Sequence, residues 1–347
     1  MEKNTQTKIF HNDLLKNSNI IKLILMLLVV LGHSIAFWNG EWFNVIPCYR
    51  ISPFLSLVDK VIASVHIYGF ILVSGYLYSY NRDECQKYQI FIEFILIKAK
   101  RLLVPAIFAS VIWIFPIQNY FYHYSFQEFF EKFILFKEGG QVWFLVMLFF
   151  VFIIRWLWDR LSLRGLVWEM ALMVFACIIG LIWGRCFDNI FRINDAFSYY
   201  LYFEIGILLR KGQKGEFGEQ LKKFLNLRIL GFLCVVLWCI LLSFTQVRKI
   251  DGFLLETLIH VFGSIGVVLT LNLACKGGQG VKVLEDNAIG ILMFHQQIIM
   301  ILIYLLNTKI NIYILAALNF FVSFSIATCI SIALGKYKAT RFLVGKK

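Results

Sequence analysis

Of the histidines inside apolar runs of this chain, three stand out by their depth: His33 in the run 19–38, His66 in 59–80 and His295 in 288–306. Ionisable side chains are costly inside a membrane span, so each asks for a purpose. Imidazole titrates near neutrality, and when neutral it accepts a proton from a hydroxyl, the work of a general base. The alternative reading of any single one is an interhelical hydrogen bond that only holds helices together.

Depth sharpens the comparison. On an outward-running first helix starting near Asn19, His33 sits roughly 21 Å above the inner edge at ~1.5 Å per residue. On an inward-running second span, His66 lies roughly 10 Å below the outer edge of a ~30 Å core, close to the same level. The two rings are therefore expected to share one cavity. His295 is placed lower, roughly 10 Å above the inner edge, approaching the pair from below.

Other polar groups surround this set. Glu204, midway along the run 196–210, is a carboxylate available to orient a histidine. Glu256 and His260 are spaced i, i+4 near the outer end of 252–275 and read as a helix-packing pair. Lys22 lies about 16 Å below His33 on the same helix. Lys98 and Arg101 enter the third run from the same side. These cations suit a phosphate-bearing molecule, with snorkelling or topogenic charge as the alternative. The Gly-rich stretch Lys276-Gly277-Gly278-Gln279-Gly280 lacks phosphate-loop spacing and reads as a plain loop.

The elements that must position these groups are membrane helices. The 347 residues are 60% hydrophobic and 16% charged, with 35 Phe and 9 Trp, which excludes an ordinary soluble domain. The expected fold is an all-α, polytopic bundle of about 10 transmembrane helices forming a single membrane domain over 1–347. The runs are 19–38, 59–80, 102–121, 142–158, 166–184, 196–210, 227–246, 252–275, 288–306 and 310–335. A polar leader, 1–18, precedes an uncleaved first span, a basic tail, 336–347, ends the chain, and Asp251-Gly252 reads as a tight turn.

Most of the 34 Lys and Arg fall in the leader, the tail and the loops of one side. That asymmetry orients both termini to the cytoplasm. The net charge of +13 thereby reports topology, and no nucleic-acid partner is expected. The eight cysteines form no C-x-x-C pair, so free thiols are expected and no metal site. The longer outer loops, 39–58 and 122–141, carry Trp42, Tyr49, Tyr122, His123 and Tyr124, which read either as an interfacial aromatic belt or as the lining of an outer vestibule.

Leu27-Leu28-Val29-Val30-Leu31-Gly32-His33-Ser34 resembles the first-span signature of the acyltransferase type 3 family of membrane O-acyltransferases. His66-Ile67-Tyr68-Gly69-Phe70-Ile71-Leu72-Val73-Ser74-Gly75-Tyr76-Leu77 is similar to that family's H-x-P-L-F-F-x-x-S-G-Y pattern. Lys98-Ala99-Lys100-Arg101-Leu102-Leu103-Val104-Pro105, Trp143-Phe144-Leu145 and the stretch from Asn287 to His295 continue the match in order.

The resemblance implies a multi-pass protein of the bacterial inner membrane, in contact with its lipids. It implies an acyl-CoA donor, usually acetyl-CoA, used from the cytoplasm, and a glycan or lipid-linked glycan acceptor of the cell envelope. It implies His33 as the catalytic base, His66 and Ser74 in the central site, and Arg101 as a donor-binding cation. Lys98 and Lys22 extend the donor set, Glu204 the catalytic set, and His295 the substrate or oxyanion set. Three departures stand out: Lys22 where Arg is usual, Asn19 where Asp is usual, and Tyr68 where Pro is usual. A lysine keeps the charge but loses the guanidinium's planar two-pronged contact. The readings that remain beside catalysis are a transporter or flippase of a lipid-linked sugar, and a non-catalytic family member.

Overall fold

A computed structural model describes residues 14–40, 42–161, 163, 165–217, 226–248, 252–275 and 279–346. The leader up to residue 13, Asp251 of the expected turn and 276–278 of the glycine-rich loop lie outside the described residues. In hydrocarbon each backbone polar group must find a partner within the chain, so apolar runs of this length close into helices. No strand occurs among the described residues.

The long elements are α1 (Leu14–Ile35), α2 (Pro53–Ala63), α3 (His66–Ser79), α4 (a continuous helical run, 91–122), α5 (Trp143–Arg160), α6 (Leu166–Cys186), α7 (Tyr200–Lys214), α8 (Leu227–Arg248), α9 (Phe253–Ala274), α10 (Gln279–Leu306) and α11 (Ile312–Lys336). Eight helices among the described residues are long and apolar enough to cross a membrane. The protein is a multi-pass helical membrane protein.

Two of the ten expected spans are not among those eight, and both are interrupted locally. The run 102–121 lies in α4, where π-helical turns at Ala99–Leu103 and Ala109–Ile114 interrupt the α-helix. Each turn stops two residues before a proline, Pro105 and Pro116, whose ring nitrogen cannot donate to the carbonyl four residues back. The run 196–210 is divided at Tyr199 between a short helix, Ile193–Ser198, and α7.

α2 and α3 form one broken span. Ser52 caps α2 by accepting from the Leu55 amide at 3.3 Å, Pro53 occupies the first turn, and the helix breaks at Ser64 and Val65 before restarting at His66. α3 then packs on α7 at very short range. A Cβ on Gly75 would lie 1.9 Å from the Phe203 carbonyl oxygen, and one on Gly206 would lie 2.0 Å from that of Leu72. Only glycine permits this approach, the small-residue device of membrane helix pairs.

α1, α5 and α10 are buried over much of their length, while α6 and α8 turn most of theirs outward, as lipid-facing helices do. The centre is therefore built from α1, α3, α5, α7 and α10.

Candidate active site

A cavity of about 650 Å³ runs between α1, α3, α4, α5 and α10. At one end it is lined by His33, His66, Gln141 and Trp143, and at the other by Asn19, Lys22, Lys98, Arg101, Glu285 and Asp286. Ser74 and Tyr78 lie along its wall. The beginnings of α1 and α10 thus share one mouth, so the two helices run parallel.

The histidine end is held by an ordered set of hydrogen bonds. His33 Nδ1 lies 2.8 Å from His295 Nε2, and the two rings stack with centroids 5.0 Å apart. His295 Nδ1 lies 2.9 Å from the Ile291 carbonyl oxygen one turn back on α10. A carbonyl oxygen only accepts, so His295 carries its proton on Nδ1 and presents Nε2 as an acceptor. His33 must then donate from Nδ1, which leaves Nε2 of His33 unprotonated. That is the nitrogen a general base needs.

His66 repeats the device. Its Nδ1 donates to the Ile62 carbonyl oxygen at 2.7 Å, a carbonyl at the break between α2 and α3, so its Nε2 is also an acceptor. His33 and His66 share the cavity, as their depths suggest. His295 departs from its expected place below the pair. α10 begins at Gln279 instead of 288, which raises His295 to the level of His33 and puts the rings in direct contact. His295 is fully buried and does not line the cavity.

Gln141 was not singled out from the sequence. Its Nε2 donates to the Met293 carbonyl oxygen and to Gln297 Oε1, both at 2.6 Å, which orients the amide. Its Oε1 is buried without a partner among the described residues, on a side chain that lines the cavity. Such an atom awaits a donor.

At the other mouth, Lys22 and Arg101 have no carboxylate within ion-pair distance among the described residues. Lys98 is buried, its Nζ 3.4 Å from the Phe152 ring centroid and 4.7 Å from that of Tyr88. The π-turn at Ala99–Leu103 follows Lys98 and contains Arg101, and so sets which way these cations face. Set against the two carboxylates Glu285 and Asp286, these cations still leave the mouth net positive, which fits an anion.

The family model for an acyltransferase domain, type 3, matches residues 15–336, nearly the whole chain. The chain belongs to the acyltransferase type 3 family. No curated protein and no solved structure matches it.

In this membrane acyltransferase, Glu204 stands apart from the histidines and does not line the cavity. It accepts from Arg155 Nη1 at 3.0 Å and from the Tyr200 hydroxyl at 2.8 Å. Arg155 also binds Glu169 and Asp159, the latter at 2.8 Å, while Lys211 closes on Glu169 and Arg82 reaches Asp159 at 2.9 Å. The side chain that meets His33 is thus His295 and not Glu204, because α7 commits Glu204 to a guanidinium that α5 buries beside it. Arg155 was the missed signal, a cation inside the apolar run 142–158.

Ser74 lines the cavity, but its hydroxyl donates to the Phe70 carbonyl oxygen at 2.8 Å, leaving its lone pairs to face the space. His260 stacks on Tyr68 at 3.9 Å between centroids, consistent with a packing role for the Glu256 and His260 pair. Tyr68 also stacks on Tyr199 at 5.6 Å, and Tyr199 lies 5.6 Å from the cavity-lining Trp143.

A second chamber of about 440 Å³ opens between the loops 39–58 and 122–141. Trp42, Gln118, Tyr122, Tyr124, Lys132, Glu138 and Gln296 line it. The Trp42 ring lies 5.0 Å from that of His33, and Gln296, beside His295, has a buried Oε1 without a partner among the described residues. One layer of side chains therefore separates the two spaces, and His33 belongs to it.

Proposed function

We propose that this acyltransferase moves an acetyl group from cytoplasmic acetyl-CoA to a hydroxyl of a cell-envelope or exported glycan, in a bacterial inner membrane. The observation that carries the reading is the path from the cations Lys22, Lys98 and Arg101 to an imidazole whose Nε2 is held as an acceptor. The Lys22 to His33 separation, about 16 Å along α1, suits an extended pantetheine arm with its phosphates at the cations and its thioester near the histidines.

In this mechanism His33 Nε2 removes the proton of the acceptor hydroxyl as its oxygen bonds to the thioester carbonyl carbon. The positive charge on His33 spreads toward His295 through the Nδ1 hydrogen bond. When the tetrahedral intermediate collapses, the carbon–sulfur bond breaks and the His33 proton passes to the thiolate. Ester and free thiol result, with no proton gained or lost. The second chamber is where the glycan approaches, because its aromatic and amide side chains suit a polyhydroxylated ligand and it abuts His33 from the opposite side. A covalent route, in which His33 first carries the acetyl group, uses the same geometry.

The test uses purified protein in lipid nanodiscs and radiolabelled acetyl-CoA, followed by glycan acetylation in cells. Wild type is expected to bind the donor, and His33→Ala to bind it while failing to acetylate at unchanged protein level. Absence of donor binding in the wild type favours a transporter. Binding without transfer in any cellular glycan identifies a non-catalytic member.

A further inference from the structure

The sequence alone assigns 336–347 to a basic tail whose charge marks topology. In the structure its described part, 336–346, returns to the cavity. After α11 ends at Lys336, the Thr340 hydroxyl donates to the Leu334 carbonyl oxygen at 2.6 Å and a short 3-10 helix forms over Arg341–Val344. Val344 is buried, and Gly345 follows with φ +73°, a left-handed turn that favours glycine. A Cβ there would lie 3.0 Å from the carbonyl oxygen of Arg101, the carbonyl that Pro105 leaves without its usual helical donor.

This turn delivers Lys346. Its Nζ donates to Asn287 Oδ1 at 2.7 Å, and that oxygen also accepts from the Ser331 hydroxyl at 2.8 Å. The Asn287 amide is itself anchored, donating to the Val283 carbonyl oxygen at 2.6 Å. Val344, Gly345 and Lys346 line the same cavity as Lys22 and Arg101. Partial burial pulls the Lys346 ammonium below its ordinary value, with Asp286 acting in the opposite sense. This partly buried ammonium hydrogen-bonds a neutral amide and makes no ion pair among the described residues, with Asp286 acting on it only at longer range, so it has room for a phosphate oxygen. The segment lies past the residues that the family model matches.

We infer that the segment 337–346 is a built part of the donor site, and that Lys346 binds a phosphate of the acyl-CoA across the mouth from Lys22 and Arg101. The inference rests on the acyl-CoA reading. A hydrogen bond between an ammonium and a phosphate is worth about tenfold or more in affinity. In phosphatidylcholine nanodiscs, Lys346→Gln is expected to raise the Kd for CoA about tenfold, while Lys346→Arg keeps it near the wild-type value. Equal Kd values for wild type and Lys346→Gln overturn the inference, whether the ammonium then serves a lipid headgroup or only the fold. A second measurement needs no substitution. CoA is expected to protect Lys346 of the wild-type protein from an amine-reactive reagent, read by mass spectrometry, and undiminished labelling also overturns it. Wild-type protein that binds no CoA would instead remove the donor reading itself.

Discussion

His295 presents its Nε2 to His33 Nδ1 at 2.8 Å, and the Ile291 carbonyl dictates that direction. The ring on α10 thus decides which nitrogen of the ring on α1 is left free of a proton. The phenyl ring of His295→Phe fills similar space but accepts nothing, so His33 loses the partner for its Nδ1 proton. Acetyl transfer is expected to fall by about a hundredfold or more, since general-base catalysis contributes on that scale, with donor affinity unchanged. His295→Gln, whose amide oxygen accepts, should recover part of the loss. Full activity in the Phe variant would show that the pair only packs.

Lys22 is the cation expected to separate donor binding from membrane anchoring. Lys22→Ala is predicted to weaken acetyl-CoA binding about tenfold, and Lys22→Arg to match or exceed the wild type, because a guanidinium grips phosphate with two parallel bonds. Titration of donor binding in nanodiscs checks both. Indifference to either change would leave Lys22 as a lysine reaching for the interface.

The network around Arg155 is predicted to be structural. Arg155→Met leaves the buried Glu204 with only the Tyr200 hydroxyl, while Glu169 keeps Lys211, and removing one partner of such a set costs about 3–5 kcal/mol. The unfolding temperature of the detergent-solubilised protein should drop accordingly. Glu204→Gln keeps its shape and its contact with Tyr200, so folded material should retain most of its transfer activity. A variant that folds normally yet transfers nothing would return Glu204 to the reaction.

Gly75 and Gly206 predict a second stability effect. Valine at Gly75 would drive a side chain into the Phe203 carbonyl, and α3 and α7 must separate to admit it. Overpacking of this kind costs about 1–3 kcal/mol or more. Because α3 carries His66 and Ser74, loss of donor turnover should accompany the lower unfolding temperature. Unchanged stability would mean that the two helices pack less closely than the structure has them.

The outer chamber can be probed at Gln296. Gln296→Leu removes a buried oxygen that awaits a hydroxyl, at similar volume. Cellular glycan acetylation should fall severalfold while acetyl-CoA binding holds, as expected for about 1 kcal/mol in one acceptor contact. A matching fall in donor binding would place the effect on the His33 and His295 layer instead.

Much of the site was legible in the chain itself. Hydropathy is a local property, so the apolar runs, the intramembrane His33 and His66, and the cations Lys22, Lys98 and Arg101 follow from composition and helical rise alone. The meeting of His33 and His66 in one cavity needed only the order of the spans and their direction, whereas Ser74 was reached only through the family resemblance. Interruptions were less visible, since the π-turns before Pro105 and Pro116 leave the apolar run intact while changing where its side chains point.

Partners across the bundle belonged to the tertiary structure. Glu204 and His295 are both polar groups in apolar runs, and nothing local says that one meets Arg155 and the other His33. Nor does the composition of 337–346 reveal that Gly345 turns the chain back so that Lys346 reaches Asn287. Such pairings depend on where distant helices begin, how closely glycines let them approach, and which backbone carbonyls are left free. Those quantities exist only once the helices have packed.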